Sequence, residues 1–131
     1  MIGNDLKLTM QEWANGAIDL ADVFEIKLDY SEDSVVKLDI LCQILHSNME
    51  SDPENYDEEI ILVSSGIMGA YLGELIIRNI GGEWEEEEGK GISVRKGVFA
   101  CHPISKIYKR LKNGDQDDIE IFYKNCKARM A

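Results

Sequence analysis

The sequence predicts a mainly α-helical α+β fold, with about five helices around a central helix and one β-hairpin. Apolar residues recur at helical spacing through most of the chain. The segment Tyr56–Ile80 is apolar along much of its length, as expected for a helix at the centre of a domain. Gly89-Lys90-Gly91 separates two short stretches that can pair as strands. The 131 residues fit a single domain, 1–131.

The first helix is predicted to begin at Thr9. Thr9-Met10-Gln11-Glu12 has the pattern of a capping box, in which the Thr and Glu side chains satisfy each other's backbone N–H groups. The expected buried stripe consists of Met10, Trp13, Ala17, Leu20 and Phe24. The acidic residues of this helix fall mostly elsewhere and should be solvated: Glu12, Asp19, Asp22 and Glu25.

Two further helices follow before the hairpin. Ser31 is the predicted N-cap of the second helix, whose buried stripe is Val35, Leu38, Leu41, Cys42 and Leu45. Asp52 and Pro53 are predicted to cap and open the central helix. Gly81-Gly82 should end it after about Ile80, because glycine accepts a left-handed conformation.

Three glycines lie on one face of the central helix. Gly66, Gly69 and Gly73 are spaced by three and four residues, and each costs a helix about 1 kcal/mol relative to alanine. Two interpretations account for them. The face can allow another backbone of the same domain to pack closely, or it can form a groove for a ligand.

The predicted hairpin carries a run of four glutamates, Glu85 to Glu88. Trp84–Glu88 and Ile92–Arg95 form its strands, and Val98–Ala100 can add a short third strand. Successive residues of a strand face opposite sides, so both sides near the tip would be acidic and exposed. The charges can protect a sheet edge from other chains, or they can dock onto a lysine- or arginine-rich surface.

Two helices complete the chain. The first is predicted to start at Pro103 after His102 and to end at Gly114, with a stripe of Ile104, Ile107, Tyr108 and Leu111. The second opens at Asp115–Asp118, with Ile119, Phe122, Tyr123, Cys126 and Met130 directed inward.

The charge is strongly negative and unevenly distributed. The net charge is −11, from 14 basic and 25 acidic residues. Residues 1–60 carry −12, residues 61–100 carry −2 and residues 101–131 carry +3. This balance disfavours nucleic acid and anionic membranes, which are bound by lysine and arginine. It favours rapid association with a basic protein, although acidity can also serve solubility alone.

No catalytic or cofactor-binding signature is present in the sequence. A P-loop, a dinucleotide fingerprint and a nucleophile elbow are absent, and the Cys and His residues lack the spacing of a zinc site. We therefore expect no cofactor, no metal and no enzymatic activity. No export signal and no uninterrupted apolar run of about 18 residues is seen, which predicts a cytoplasmic protein with reduced thiols. The oligomeric state is not predicted.

Three segments resemble a group of small, uncharacterised bacterial cytosolic proteins. They are LDYSEDSVVKLD, GAYLGELIIRNIGGEW and PISKIYKRLKNG, which start at Leu28, Gly69 and Pro103. The overall profile is also similar to immunity proteins of bacterial toxin systems, such as those of contact-dependent growth inhibition. That similarity implies a small acidic protein that occupies the basic cleft of a toxin, often a nuclease.

The resulting hypothesis is an immunity protein that binds and neutralises a basic toxin domain. The predicted contact residues are Glu85, Glu86, Glu87 and Glu88, followed by Asp52, Glu54, Asp57 and Glu58. The alternative is a non-catalytic regulator or adaptor that holds a small ligand or peptide against the glycine face.

Overall fold

The computed structural model describes residues 2–131, with side chains from Asp5 onward. The helices are α1 (Ile2–Val23), α2 (Ser34–Ser51), α3 (Glu58–Asn79), α4 (Pro103–Asn113) and α5 (Ile119–Met130), with a 3₁₀ turn at Gly114–Asp117. The strands are β1 (Glu83–Glu87), β2 (Gly91–Lys96) and β3 (Phe99–Cys101). They form one antiparallel sheet in the order β1-β2-β3. The predicted mainly helical α+β class is confirmed, and the short third strand expected near Val98–Ala100 is present at Phe99–Cys101.

The central helix α3 is flanked by α1 and α4. Residues 68–76 of α3 are all buried. Gly16 of α1 faces Ile67, while Lys7 shares a groove with Arg78. Residue numbers therefore rise along α1 as they fall along α3, and the two helices are antiparallel. The end of α1 consequently lies beside the start of α3.

The predicted start of the first helix at Thr9 is wrong. The helix begins at Ile2, so Thr9 lies in its interior. The buried face extends back to Leu6 and continues through Met10, Ala14, Ala17 and Ala21. Burial of this face favours continued helix where the local capping motif favours a start. Trp13, expected inside, lies at the flank with 40% of its surface exposed.

Two predicted helix caps are also displaced. The Ser31 hydroxyl donates to Asp29 at 2.6 Å within the preceding turn, so α2 instead starts after Asp33. Asp52 ends α2, with its N–H donating to the Asn48 carbonyl. Asp57 caps α3 and accepts from the backbone N–H of Ile60 at 3.0 Å. The predicted buried stripe of α2 is confirmed at all five positions.

The glycine face of α3 is used for close packing inside the domain. Trp13 lies against Gly66, Ile104 against Gly69 and Trp84 against Gly73. An added Cβ at residue 69 would lie only 2.5 Å from the Cα of Ile104. The packing interpretation is therefore confirmed, and these side chains fill the face on which the ligand-binding alternative was based.

The C-terminal helices follow the prediction, with one buried arginine added. Gly114 ends α4 with φ of 80°. Arg110 is 2% exposed, and its Nε donates to Asp39 at 2.9 Å. Asp39 also accepts from the backbone N–H of Ile119. One carboxylate of α2 therefore holds both α4 and the start of α5.

Helix α3 has the length and composition of a membrane-spanning helix. Its mean hydropathy is 1.9 over a window of 18 residues. The sequence showed no uninterrupted apolar run long enough to span a membrane. The helix still has a high mean hydropathy, because its few polar residues and glycines lower the average over the window only slightly. About two-thirds of the window (67%) is buried inside the fold, as in the core helix of a soluble protein.

Candidate protein-binding surface

The acidic hairpin is attached to the helical core through Trp84. Gly81 and Gly82 have φ of 118° and 107°, a conformation that lets the chain turn from α3 into β1. The Trp84 ring lies against Gly73, and its Nε1 donates to the Glu74 carboxylate at 2.8 Å. The first strand of the hairpin is therefore fixed against the central helix.

A chain of polar and aromatic contacts continues from this attachment. Glu74 is almost fully buried, and its other oxygen lies 3.7 Å from Arg78. The Arg78 guanidinium stacks 3.6 Å from the centre of the Tyr30 ring, which itself stacks on Tyr71. The base of the hairpin is thus connected through these contacts to the loop before α2.

The four glutamates of the hairpin divide into two pairs. Glu85 and Glu87 are on the strand face that Arg95 shares. Arg95 Nε lies 2.5 Å from Glu85, and Arg95 Nη2 lies 3.6 Å from Glu87. Lys90 adds a contact of 3.3 Å to Glu87. These two carboxylates are therefore already neutralised within the hairpin.

Glu86 and Glu88 have no such partner. Both are exposed, and within the described chain neither lies within ion-pair distance of a lysine, arginine or histidine. Sequence alternation separated these two from Glu85 and Glu87, but it did not show which pair would be free. The position of Arg95 on the second strand decides it.

The second predicted group extends from the end of α2 through the loop to Glu58, the first residue of α3. Glu58 accepts from Tyr108 Oη and from Lys112 Nζ at 3.2 Å, and these bonds lower the pKa of Glu58. Asp57 caps α3, and Asp52 accepts from the Asn55 amide at 2.9 Å. Glu54 is exposed. Three of the four carboxylates therefore have structural contacts that compete with partner binding.

The two predicted groups are separated along α3. The hairpin is attached at Gly73, and Asp57 caps the opposite end of the helix. At 1.5 Å per residue, these two points are about 24 Å apart. They are therefore two patches rather than one compact site, although an interface of ordinary size can cover both.

A third acidic group lies on the outer face of α1 and was not among the predicted contact residues. Asp5, Glu12 and Asp19 are spaced by seven residues, so they lie on one side of the helix. They are exposed, and no lysine or arginine of the described chain pairs with them. In the sequence, these three residues can be recognised by their spacing of seven, which places them on the side of α1 opposite the buried alanines. Asp22 extends this face toward the start of α3.

Metal chemistry finds no support in the described residues. Between Ile2 and Ala131, no three His, Cys, Asp or Glu side chains are grouped so that they could hold a metal ion. The chemistry available at the acidic patches is the acceptance of hydrogen bonds and ion pairs from cationic groups.

Comparison with known proteins gives no match: no family model, curated protein or solved structure is similar enough to this chain to assign it. The resemblances suggested by the sequence therefore stay predictions.

Proposed function

We propose that this protein is a cytoplasmic, immunity-type binding protein that neutralises a basic toxin domain by occupying its cationic cleft. The observation that supports this most directly is the pair Glu86 and Glu88. Both carboxylates are exposed and lack an internal cation, and they lie on a hairpin whose base is fixed by Trp84. Such groups can accept hydrogen bonds from lysine or arginine without first breaking an internal ion pair.

The rigid attachment of the hairpin favours specific binding. Ordering a flexible segment on binding costs free energy, whereas a preformed one avoids much of that cost. The Trp84 contact with Gly73 and the Arg95 bridge both fix the strand before any partner arrives. We call the β1–β2 hairpin, Glu83–Lys96, the acidic arm. Glu85 and Glu87 contribute by holding its shape, while Glu86 and Glu88 contact the toxin.

The remaining acidic groups provide long-range attraction. Residues 1–60 carry a net charge of −12, and the outer face of α1 contributes unpaired carboxylates to it. Opposite net charges on the two partners accelerate their association by roughly 10- to 1000-fold at low salt. Asp52, Glu54 and Asp57 contribute to this negative electrostatic field. They contact the toxin directly only if the interface reaches the start of α3.

A nuclease toxin is the partner class that this chemistry fits best. An enzyme that binds nucleic acid has a cleft lined with lysine and arginine to hold phosphates. An acidic arm can fill such a cleft and exclude the substrate, and no catalytic group is needed for that.

Charge reversal on the arm tests the proposal. The partner in this test is the protein encoded beside this protein's gene, and association is measured by stopped-flow fluorescence at low and high salt. Glu86→Lys with Glu88→Lys should lower the association rate constant at least about tenfold at low salt, and less at high salt. Glu88→Lys alone is matched with Asp115→Lys, which reverses one exposed charge far along the chain on the 3₁₀ turn.

The outcomes separate the arm from the overall field. An unchanged rate constant in the double variant would remove the arm from the interface. Equal losses for Glu88→Lys and Asp115→Lys would assign the effect to net charge alone. If the neighbouring protein does not bind the wild-type chain at all, the toxin assignment fails.

A further inference from the structure

Two of the three cysteines are paired in space although they are far apart in the sequence. All three are free and buried. Cys101 ends β3, and Cys126 lies in the third turn of α5. Strand β3 packs against α5, both cysteines line one surface groove, and each thiol is the strongest single influence on the pKa of the other, so the two side chains are neighbours. Cys42 has no thiol neighbour in the described chain.

A groove on the surface leads to both cysteines. It has a volume of about 360 Å³ and is lined by Cys101 and Cys126 together with Lys106, Lys109 and Arg129. Each cysteine retains only a few per cent of its exposed surface, so bulky reagents cannot reach the sulfurs. A molecule of nearly the size of water can enter a groove of this volume.

The two thiols are not equivalent. The hydrogen bond from Cys101 lowers the pKa of the Cys126 thiol, burial opposes this, and the Arg129 charge adds to the lowering. The same hydrogen bond and burial raise the pKa of Cys101. Burial, with a smaller effect of the Asp39 charge, raises the pKa of Cys42 despite the nearby Arg110 charge. Cys126 is therefore the most readily ionised of the three, and the thiolate is the reactive form.

We propose that Cys101 and Cys126 form a reversible redox pair, in which hydrogen peroxide converts the two thiols into an intramolecular disulfide. The assignment rests on the packing of β3 against α5 and on the single groove that both cysteines line.

The reaction proceeds in two balanced steps. The Cys126 thiolate attacks one oxygen of hydrogen peroxide, the O–O bond breaks, and hydroxide leaves with the proton of the thiol as water. Cys126 is then a sulfenic acid. The Cys101 sulfur attacks the Cys126 sulfur, the S–O bond breaks and a second water leaves. Two thiols are oxidised by two electrons, and one peroxide is reduced to two waters. A small-molecule dithiol reverses the change by thiol–disulfide exchange.

The disulfide would join the sheet to the last helix. Cys101 pairs with Val94 of β2, and β2 is the strand that carries Arg95 against the acidic arm. Oxidation therefore links the sheet that carries the acidic hairpin covalently to α5. The disulfide also closes a loop of about 25 residues, which restricts the conformations of the unfolded chain. This inference does not depend on the toxin proposal.

Intact-mass and peptide analysis of the wild-type protein provide the main test. After treatment with hydrogen peroxide, the monomer should lose the mass of two hydrogen atoms, and a Cys101–Cys126 linked peptide should appear. Cys42 should remain alkylatable after unfolding, and Cys126 should be consumed at least about tenfold faster than Cys42. The melting temperature should rise by about 5 °C or more and return after reduction.

Two serine variants assign the separate roles. Cys101→Ser should accumulate a sulfenic acid at Cys126, which dimedone traps when the peroxide-treated protein is unfolded in its presence, while Cys126→Ser should give little trapping at Cys101. Circular dichroism verifies that each variant is folded, and the wild-type mass result decides the proposal if either is not. Three free thiols after peroxide treatment, a link involving Cys42, or links only between molecules would overturn it.

Discussion

Trp84 is the residue on which the position of the acidic arm depends. Its ring occupies the space beside Gly73, and its indole N–H satisfies the buried Glu74. A buried carboxylate that loses a partner is costly, so the side chain contributes through both packing and polarity. The sequence identified Trp84 as a strand residue, but its contact with α3 is visible only in the fold.

Truncation of this side chain should destabilise the whole protein. We expect Trp84→Ala to lower the free energy of unfolding by about 3–5 kcal/mol, since it leaves a cavity and an unsatisfied Glu74. Trp84→Phe keeps most of the ring and loses mainly the hydrogen bond, at about 1–2 kcal/mol. Urea titration measures both. Equal, small losses would mean that the ring does not anchor the strand.

Arg110 is a buried charged residue whose ion pair could not be predicted from the sequence. It lies three residues after Ile107, at the edge of the apolar stripe of α4, where an arginine would ordinarily stay solvated, yet it is buried. Its partner Asp39 is 71 residues away, and no local pattern connects the two. The sequence therefore predicted the stripe correctly and could not foresee the charge within it.

At the scale of elements, the glycines set how closely α3 approaches its neighbours. Gly69 faces the backbone of Ile104, where little can move, whereas Gly16 of α1 faces only the side chain of Ile67 at 3.5 Å. The same residue type is thus required at one helix contact and replaceable at another. Helix patterns locate both glycines, but only the packing distinguishes them.

A pair of alanine substitutions tests this distinction. Gly69→Ala should cost about 2 kcal/mol of unfolding free energy, because the new Cβ forces α3 and α4 apart. Gly16→Ala should instead gain about 0.5–1 kcal/mol through helix propensity, with an ordinary contact to Ile67. Denaturant unfolding of the two variants gives the comparison. A gain at both positions would show that α4 shifts without cost.

The errors in the predicted element starts have a common cause. Thr9, Ser31 and Asp52 each carry a side chain suited to a cap, but none of them is the N-cap of the helix it was predicted to start. Capping groups are local options that compete with burial and with turns. Where an apolar stripe continues past the motif, as at Leu6, packing decides the boundary.

For the whole molecule, ion pairs between distant segments hold the acidic N-terminal part to the basic C-terminal part. Lys127 and Tyr123 donate to Glu32, and the Lys127 and Tyr123 hydrogen bonds lower the pKa of Glu32. Glu58 is held likewise by Tyr108 and Lys112, which lower its pKa. The uneven charge seen in the sequence is therefore partly compensated inside the fold.

These lowered pKa values predict acid sensitivity. A carboxyl whose folded pKa lies below its unfolded value stabilises the fold above the unfolded pKa, here 4.5 for glutamate. That contribution disappears as the pH falls through the lower, folded pKa. The urea midpoint should thus drop as the pH is lowered below about 4.5.

Matched variants identify the groups responsible. Glu58→Gln should reduce the loss of stability between neutral and acidic pH, because it removes one titrating group with a lowered pKa. Glu59→Gln changes the adjacent exposed residue, which makes no ion pair in the described chain, and should leave the pH dependence unchanged. The same slope in both variants would contradict the assignment to Glu58.

The sequence by itself determined the fold class, the order of the elements, the buried stripe of α2, the ends of α3 and α4, and the excess of negative charge. These follow from local periodicity, turn residues and counting. Only the tertiary structure decided that Glu86 and Glu88 are free while Glu85 and Glu87 are paired, and that Cys101 meets Cys126. Such partners are brought together by folding, and the free energy of their contact depends on distance in space, which the order of residues does not contain.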